Sequence, residues 1–60
     1  MTARELLRAL NSDGWVIKHQ TGSHIQMKHP TKLGTVTVPN HKGDIATGTL
    51  SSIRRQAGLK

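Results

Sequence analysis

Two short alternating stretches fix what this chain can fold into. In SHIQMK, residues 23–28, apolar Ile25 and Met27 alternate with polar His24, Gln26 and Lys28. In TVTVP, residues 35–39, Val36 and Val38 alternate with Thr35 and Thr37. A strand points successive side chains to opposite faces, so each stretch is dry on one side and wet on the other. Pro39 ends the second stretch, because proline has no N–H to give to a ladder. HPTKLG, between them, carries Pro30 and Gly34 and reads as a hairpin connection. WVIKHQ, residues 15–20, is rich in β-formers and ends at TG, giving one more strand ahead of these two.

The dry faces need a cover, and the flanking segments supply it. Residues 3–12 set Ala3, Leu6, Leu7 and Leu10 along one helical stripe, capped by the Thr2/Glu5 box and stopped by NSDG. A second helix is expected over 48–57, with Thr47 as N-cap, a stripe of Leu50, Ile53 and Ala57, and Gly58 at the left-handed position beyond its end. NHKGD, residues 40–44, is a loop. The order is α-β-β-β-α. It predicts an α+β domain over residues 1–60, a three-stranded antiparallel sheet with two helices on one face and the other face open. Trp15 is read as packing, with Ile25, Met27, Val36 and Val38 in the core.

Size and composition narrow the chemistry. A chain of 60 residues buries only about 60% of its unfolded surface. With no cysteine it has neither disulfides nor thiolate-bound zinc. Its first residues mix Arg and Glu among the leucines, unlike a signal peptide, and no apolar run approaches the ~20 residues that cross a bilayer. A cytoplasmic protein without membrane contact is therefore expected. Nine Lys and Arg against Glu5, Asp13 and Asp44 give a net charge of +6, which favours polyanionic partners, nucleic acid above all. Trp15 is the sole aromatic residue, so the stacking platforms of single-strand binders are missing.

Three scattered acids exclude carboxylate-clustered two-metal nucleases and facing-carboxylate glycosidases, and nothing places Asp13 or Asp44 beside His24 for a triad. No glycine-rich phosphate loop occurs. His19, His24, His29 and His41 are numerous enough for a metal, but positions 24 and 29 differ by an odd count and face opposite ways on a strand. No metal and no cofactor is expected. What remains is metal-free acid–base chemistry on RNA, whose 2′-hydroxyl is its own nucleophile. An imidazole, with an ordinary pKa of about 6.5, takes that proton at neutral pH, and lysines stabilise the phosphate. His24 with Lys28 on the same wet face is the minimum set, and its products would be a 2′,3′-cyclic phosphate and a free 5′-hydroxyl. On pattern alone, a solvated strand histidine is the simpler reading of His24.

Further residues change that balance. DGW (13–15), GSH (22–24), HP (29–30), VTVP (36–39) and GTLSSIRRQAGL (48–59), in this order and spacing, resemble the HicA toxins, small mRNA interferases of type II toxin–antitoxin systems. The likeness runs nearly end to end. It implies a double-stranded-RNA-binding-domain-like fold, ribosome-independent cleavage of mRNA, and a HicB-type antitoxin that masks the site, with no direct DNA binding. It makes His24 catalytic. Gly22 is implied as a place of close backbone approach and Ser23 as a hydrogen-bond donor. Lys28 is the phosphate candidate, and Lys32, Lys42, Arg54 and Arg55 would extend an RNA track. His29, before Pro30, is read as structural or as the acid for the leaving oxygen. His19 receives no role. Relatives place a histidine directly after VTVP, whereas Asn40 stands here, so no role passes to His41. Relatives also often carry a proline before the second helix, which DIATGT lacks. The alternative is a non-catalytic double-stranded-RNA-binding module, with its charge on the second helix at Arg54, Arg55 and Lys60 and with His24 idle.

Overall fold

A computed structural model describes residues 1–40 and 42–59. His41 and Lys60, both named above, lie outside the described residues. Helix α1 spans Ala3–Ser12, followed by strands β1 (Val16–Thr21), β2 (His24–Lys28) and β3 (Val36–Pro39), and helix α2 (Thr47–Ala57). The strands form one antiparallel sheet in the order β1-β2-β3. This is the expected α-β-β-β-α arrangement, with the double-stranded-RNA-binding-domain-like fold.

Local chemistry sets the helix ends. Thr2 Oγ1 accepts the Glu5 N–H at 3.2 Å and the Glu5 carboxylate accepts the Thr2 N–H at 2.9 Å, a reciprocal cap. That backbone bond from Thr2 holds the Glu5 carboxyl below its usual value. At the other helix the expected cap is displaced by one residue. The Leu50 N–H donates to the Ala46 carbonyl at 2.9 Å, so the helical ladder begins on Ala46 and Thr47 already lies inside α2. Ala46 has no side-chain oxygen to offer, and the start of α2 carries no side-chain cap. Gly58 ends α2 in the left-handed conformation, φ 71°, as its position predicts.

The core joins Ala3, Leu6 and Leu10 of α1, Trp15, Ile25 and Met27 of β2, Val36 and Val38 of β3, and Ile53 and Ala57 of α2. Leu6, Leu10, Trp15 and Val38 are fully buried, each large aliphatic side chain stabilising the fold by up to about 1.5–3 kcal/mol. Ile45 also belongs to the core, although the sequence places it in no periodic element. It is carried there by an isolated bridge between Thr2 and Asp44 and by its own N–H, which donates to the Met1 carbonyl at 2.8 Å. Leu7 and Leu50 are half-buried at the margin. All of β1 is exposed, including Val16 and Ile17.

The end of β2 is pinned by a polar staple. His29 Nδ1 accepts the N–H groups of Thr31 and Lys32, both at 3.0 Å, which leaves the ring proton on Nε2 to donate to the Asp13 carbonyl at 2.8 Å. The His29 side chain is only 8% exposed and stands edge-on to Trp15, with ring centres 5.3 Å apart. Trp15 Nε1–H donates to the Ala57 carbonyl at 3.3 Å, and Lys32 Nζ reaches both that carbonyl, at 3.0 Å, and Asp13 Oδ2. DGW, HP and the QAG turn thus meet in space. Lys32, expected on an RNA track, is hydrogen-bonded to Asp13 and Ala57 while its side chain stays partly exposed, and His29 has both ring nitrogens engaged inside the fold.

Candidate active site on the open face of the sheet

The turn between β1 and β2 is two residues long, Gly22 and Ser23, because Thr21 pairs with His24. Only Gly22 has positive φ, 57°, the pattern of a type II′ turn, whose first central residue is glycine. Among the described residues nothing lies within 4 Å of where a Gly22 Cβ would be, so what calls for glycine here is the backbone conformation. On the far side of β2 the Asn40 N–H donates to the Ser23 carbonyl at 2.6 Å. Residues 23 and 40 are therefore a bonded pair, and the next pair, His24 and Pro39, is an unbonded one. Proline is tolerated opposite His24 because no N–H is asked of it there.

His24 is exposed, on the face opposite buried Ile25 and Met27. Among the described residues its imidazole has no hydrogen-bond partner. Around it the register assembles the open face: Thr21, His24 and Pro39 in one row, then His19, Gln26 and Thr37, then Val16 with Lys28. His19 reaches this face through a bulge. Ile17 pairs with Met27 but His19 pairs with Gln26, so Lys18 is one extra residue in β1. Plain alternation from Trp15 would send His19 inward with Ile17; the extra residue sends it outward with Thr21. His19 Nε2 and Thr21 Oγ1 are hydrogen-bonded at 2.6 Å.

The sequence reading missed His19, Thr21 and Lys18. One signal was available. Counting back from the Gly22–Ser23 turn pairs 21 with 24, 20 with 25 and 19 with 26, and this conflicts with alternation counted forward from Trp15. The conflict is the bulge.

The basic residues divide by location. Lys28 lies four residues along β2 from His24, about 13 Å at strand rise, too far for both side chains to meet at one phosphate. With Lys18 it borders a cavity of about 520 Å³ floored by Gly14, Val16, His29 and Pro30. Lys42 lines another depression with Arg4 and Asn40, the residue bonded to Ser23 beside His24. Arg54 and Arg55 are in α2, in the helical layer that covers the opposite face, and are not brought together with His24. In the last turn of α2 they complement the negative end of the helix dipole. Among the described residues no three His, Asp or Glu side chains converge, and no helix is long and apolar enough to cross a membrane.

Comparison with known proteins adds identity to this geometry. The family model described as HicA toxin of bacterial toxin–antitoxin matches residues 3–59. A chain of a toxin–antitoxin complex from Streptococcus pneumoniae superposes with a TM-score of 0.84 at 33% identity, with 98% of each chain covered. No curated protein matches the chain significantly.

Proposed function

The chain belongs to the HicA toxin family, and on that premise we propose that it is an endoribonuclease that cleaves RNA by metal-free acid–base chemistry at His24. One observation carries the reading: among the described residues, an exposed imidazole without a partner stands on a sheet face that no helix covers, seated by a tight hairpin beside a second histidine. An enzyme that must accept a polymer needs its base on such a face, open to the substrate and fixed at its backbone.

In the proposed reaction the 2′-hydroxyl oxygen of a bound ribose attacks the adjacent phosphorus. His24 takes the hydroxyl proton as the P–O5′ bond breaks, and the leaving 5′-oxygen takes up a proton from an acid. The products are a 2′,3′-cyclic phosphate and a 5′-hydroxyl. Lys18 and Lys28 hold the strand further along the face, and Lys42 with Arg4 holds it beyond Asn40. These are backbone contacts, blind to sequence. Gly22 and Ser23 support His24 by fixing the hairpin that presents it.

An antitoxin of the HicB type is the proposed partner. The match to a chain from a toxin–antitoxin complex supports a protein partner, and covering the open face would bury His24 and block substrate together. Mixing the two proteins should then remove His24 from reaction with an imidazole-acylating reagent.

The deciding experiment is RNA cleavage by the purified protein in excess EDTA, beside His24→Ala, with the 3′ ends analysed. Cleavage that leaves cyclic phosphate and is abolished in the folded variant supports the reading. A folded His24→Ala variant that cleaves as well as the parent would sink it. RNA binding without cleavage by either protein would favour the non-catalytic binding module.

A further inference from the structure

Resting on that reading of His24, we propose that His19 is the second catalytic residue, the acid that protonates the leaving 5′-oxygen, with Thr21 positioning its ring. Concerted cleavage needs two proton carriers on opposite sides of the phosphorus, one at the attacking oxygen and one at the leaving oxygen. His24 alone supplies one of them.

Among the described residues, His29 and Lys28 are out of place. His29 is buried with both nitrogens engaged in the staple, about 17 Å along β2 at strand rise. Lys28 is about 13 Å away. His19 is the diagonal neighbour of His24: it pairs with Gln26, two residues along the same face. Diagonal positions on adjacent strands are about 7–8 Å apart, within reach of long side chains. That spacing lets a phosphate lie between two imidazoles, one on each side.

The hydrogen bond to Thr21 gives His19 its chemistry. The 2.6 Å contact between Nε2 and the Thr21 hydroxyl holds the ring in one orientation and leaves Nδ1 open; in the imidazolium that the step requires, Nε2–H is the donor. The step balances as follows. The 2′-oxygen bonds to phosphorus, its proton passes to His24, the P–O5′ bond breaks, and the Nδ1 proton of the His19 imidazolium passes to O5′. His24 gains one proton and His19 loses one. His19 ends as the Nε2–H tautomer, still bonded to Thr21. Among the described residues, the titratable groups sharing this face with His19 are Lys18 on β1 and His24 and Lys28 on β2; β3 contributes Thr37 and Pro39, which do not titrate.

The test uses two substrates: a short RNA with one mapped cleavage link, and the same RNA with sulfur replacing the bridging 5′-oxygen at that link. A thiolate leaves without a proton, so only the oxygen substrate needs an acid. His19→Gln is expected to slow the oxygen substrate by about 10²–10⁴-fold and the sulfur substrate by no more than about threefold. Its pH profile on the oxygen substrate should lose the alkaline limb, which reports the protonated acid. Thr21→Val should slow the oxygen substrate by about tenfold, and Thr21→Ser should restore it. His24→Gln should be slow on both substrates. Equal loss on both substrates in a His19→Gln protein whose circular dichroism is unchanged would overturn the assignment, as would undiminished cleavage of the oxygen substrate. If His24→Gln cleaved both substrates normally, the failure would lie in the ribonuclease reading itself, and the assignment would go with it.

Discussion

Lys32 Nζ lies 2.5 Å from Asp13 Oδ2, a contact that joins residues 19 positions apart and ties the end of α1 to the β2–β3 connection. The ammonium holds the Asp13 carboxyl below its ordinary value. A carboxyl whose folded pKa is depressed stabilises the fold above its unfolded pKa, and that contribution is lost as pH falls through the folded one. Melting temperatures taken from about pH 6 down to about pH 2 should therefore decline through the carboxylate range. Asp13→Asn should melt lower at neutral pH and flatten the decline. Glu5, also depressed by its bond from Thr2, accounts for the slope that remains.

The same contact sets Lys32 apart from the lysines proposed to meet RNA. Lys28→Ala should reduce the slope of log affinity against log salt by about 0.7–0.9, one phosphate contact. A folded Lys32→Met protein should keep the parent slope while melting lower. Arg55→Ala, in the helical layer, should change neither, and a large loss of RNA affinity in that variant would move the binding surface to α2.

Gly14 is the most constrained glycine in the chain. Its φ is 110°, and a Cβ there would sit 2.7 Å from His29 Nε2, the atom that donates to the Asp13 carbonyl. Gly14→Ala should cost at least about 1–3 kcal/mol from the backbone alone. Displacing the buried ring adds to this, and a fall in melting temperature of roughly 10 °C or more is expected. A neutral result would mean that the turn relaxes away from His29.

Gly22 answers differently. Its conformation disfavours a Cβ, but space is open around it, so Gly22→Ala should cost only about 1 kcal/mol. Cleavage should fall far more than stability does, since the turn sets the position of His24. Gly22→Asn should recover part of the activity, because asparagine tolerates positive φ. Equal losses of stability and activity would reduce Gly22 to a folding residue.

His29→Ala makes the complementary case. It leaves the part-buried Asp13 carbonyl and Lys32 N–H and the exposed Thr31 N–H without their partner and removes the ring packed on Trp15, so stability should drop by roughly 1–3 kcal/mol. Cleavage per folded molecule, measured at low temperature, should survive. Loss of cleavage in a folded His29→Ala protein would return His29 to the reaction.

Much of the fold was legible because two periodicities are clean. Ile25/Met27 and Val36/Val38 alternate without a break, and Ala3, Leu6 and Leu10 keep helical spacing, so the element order and most of the core follow. Ile45 was not legible, since what buries it is a bridge to the chain's first residues and no local pattern. Thr47 was misjudged by one position, as backbone ladders start where a carbonyl is available and not only where a capping side chain stands. His24 was legible as an exposed histidine on the correct face. His19 was not, because a single extra residue reverses the parity of everything beyond it. His29 was legible as a structural residue beside Pro30, but its partners at Asp13 and Trp15 were not, and neither was the reach of Lys32 to Asp13 and Ala57.

The staple carries a consequence for how such chains change over time. DGW, HP and QAG meet around Trp15 and His29, while His24, Thr21 and His19 stand at the other end of the same sheet, and the two groups share no residue. Substitutions can therefore silence one without disturbing the other. On the proposed assignment, a copy that had lost only the His24 imidazole would keep the staple, fold like its parent and present nearly the same surface to an inhibitor. Such a harmless double could compete for the inhibitor and set the active protein free. The layout makes a decoy only one substitution away.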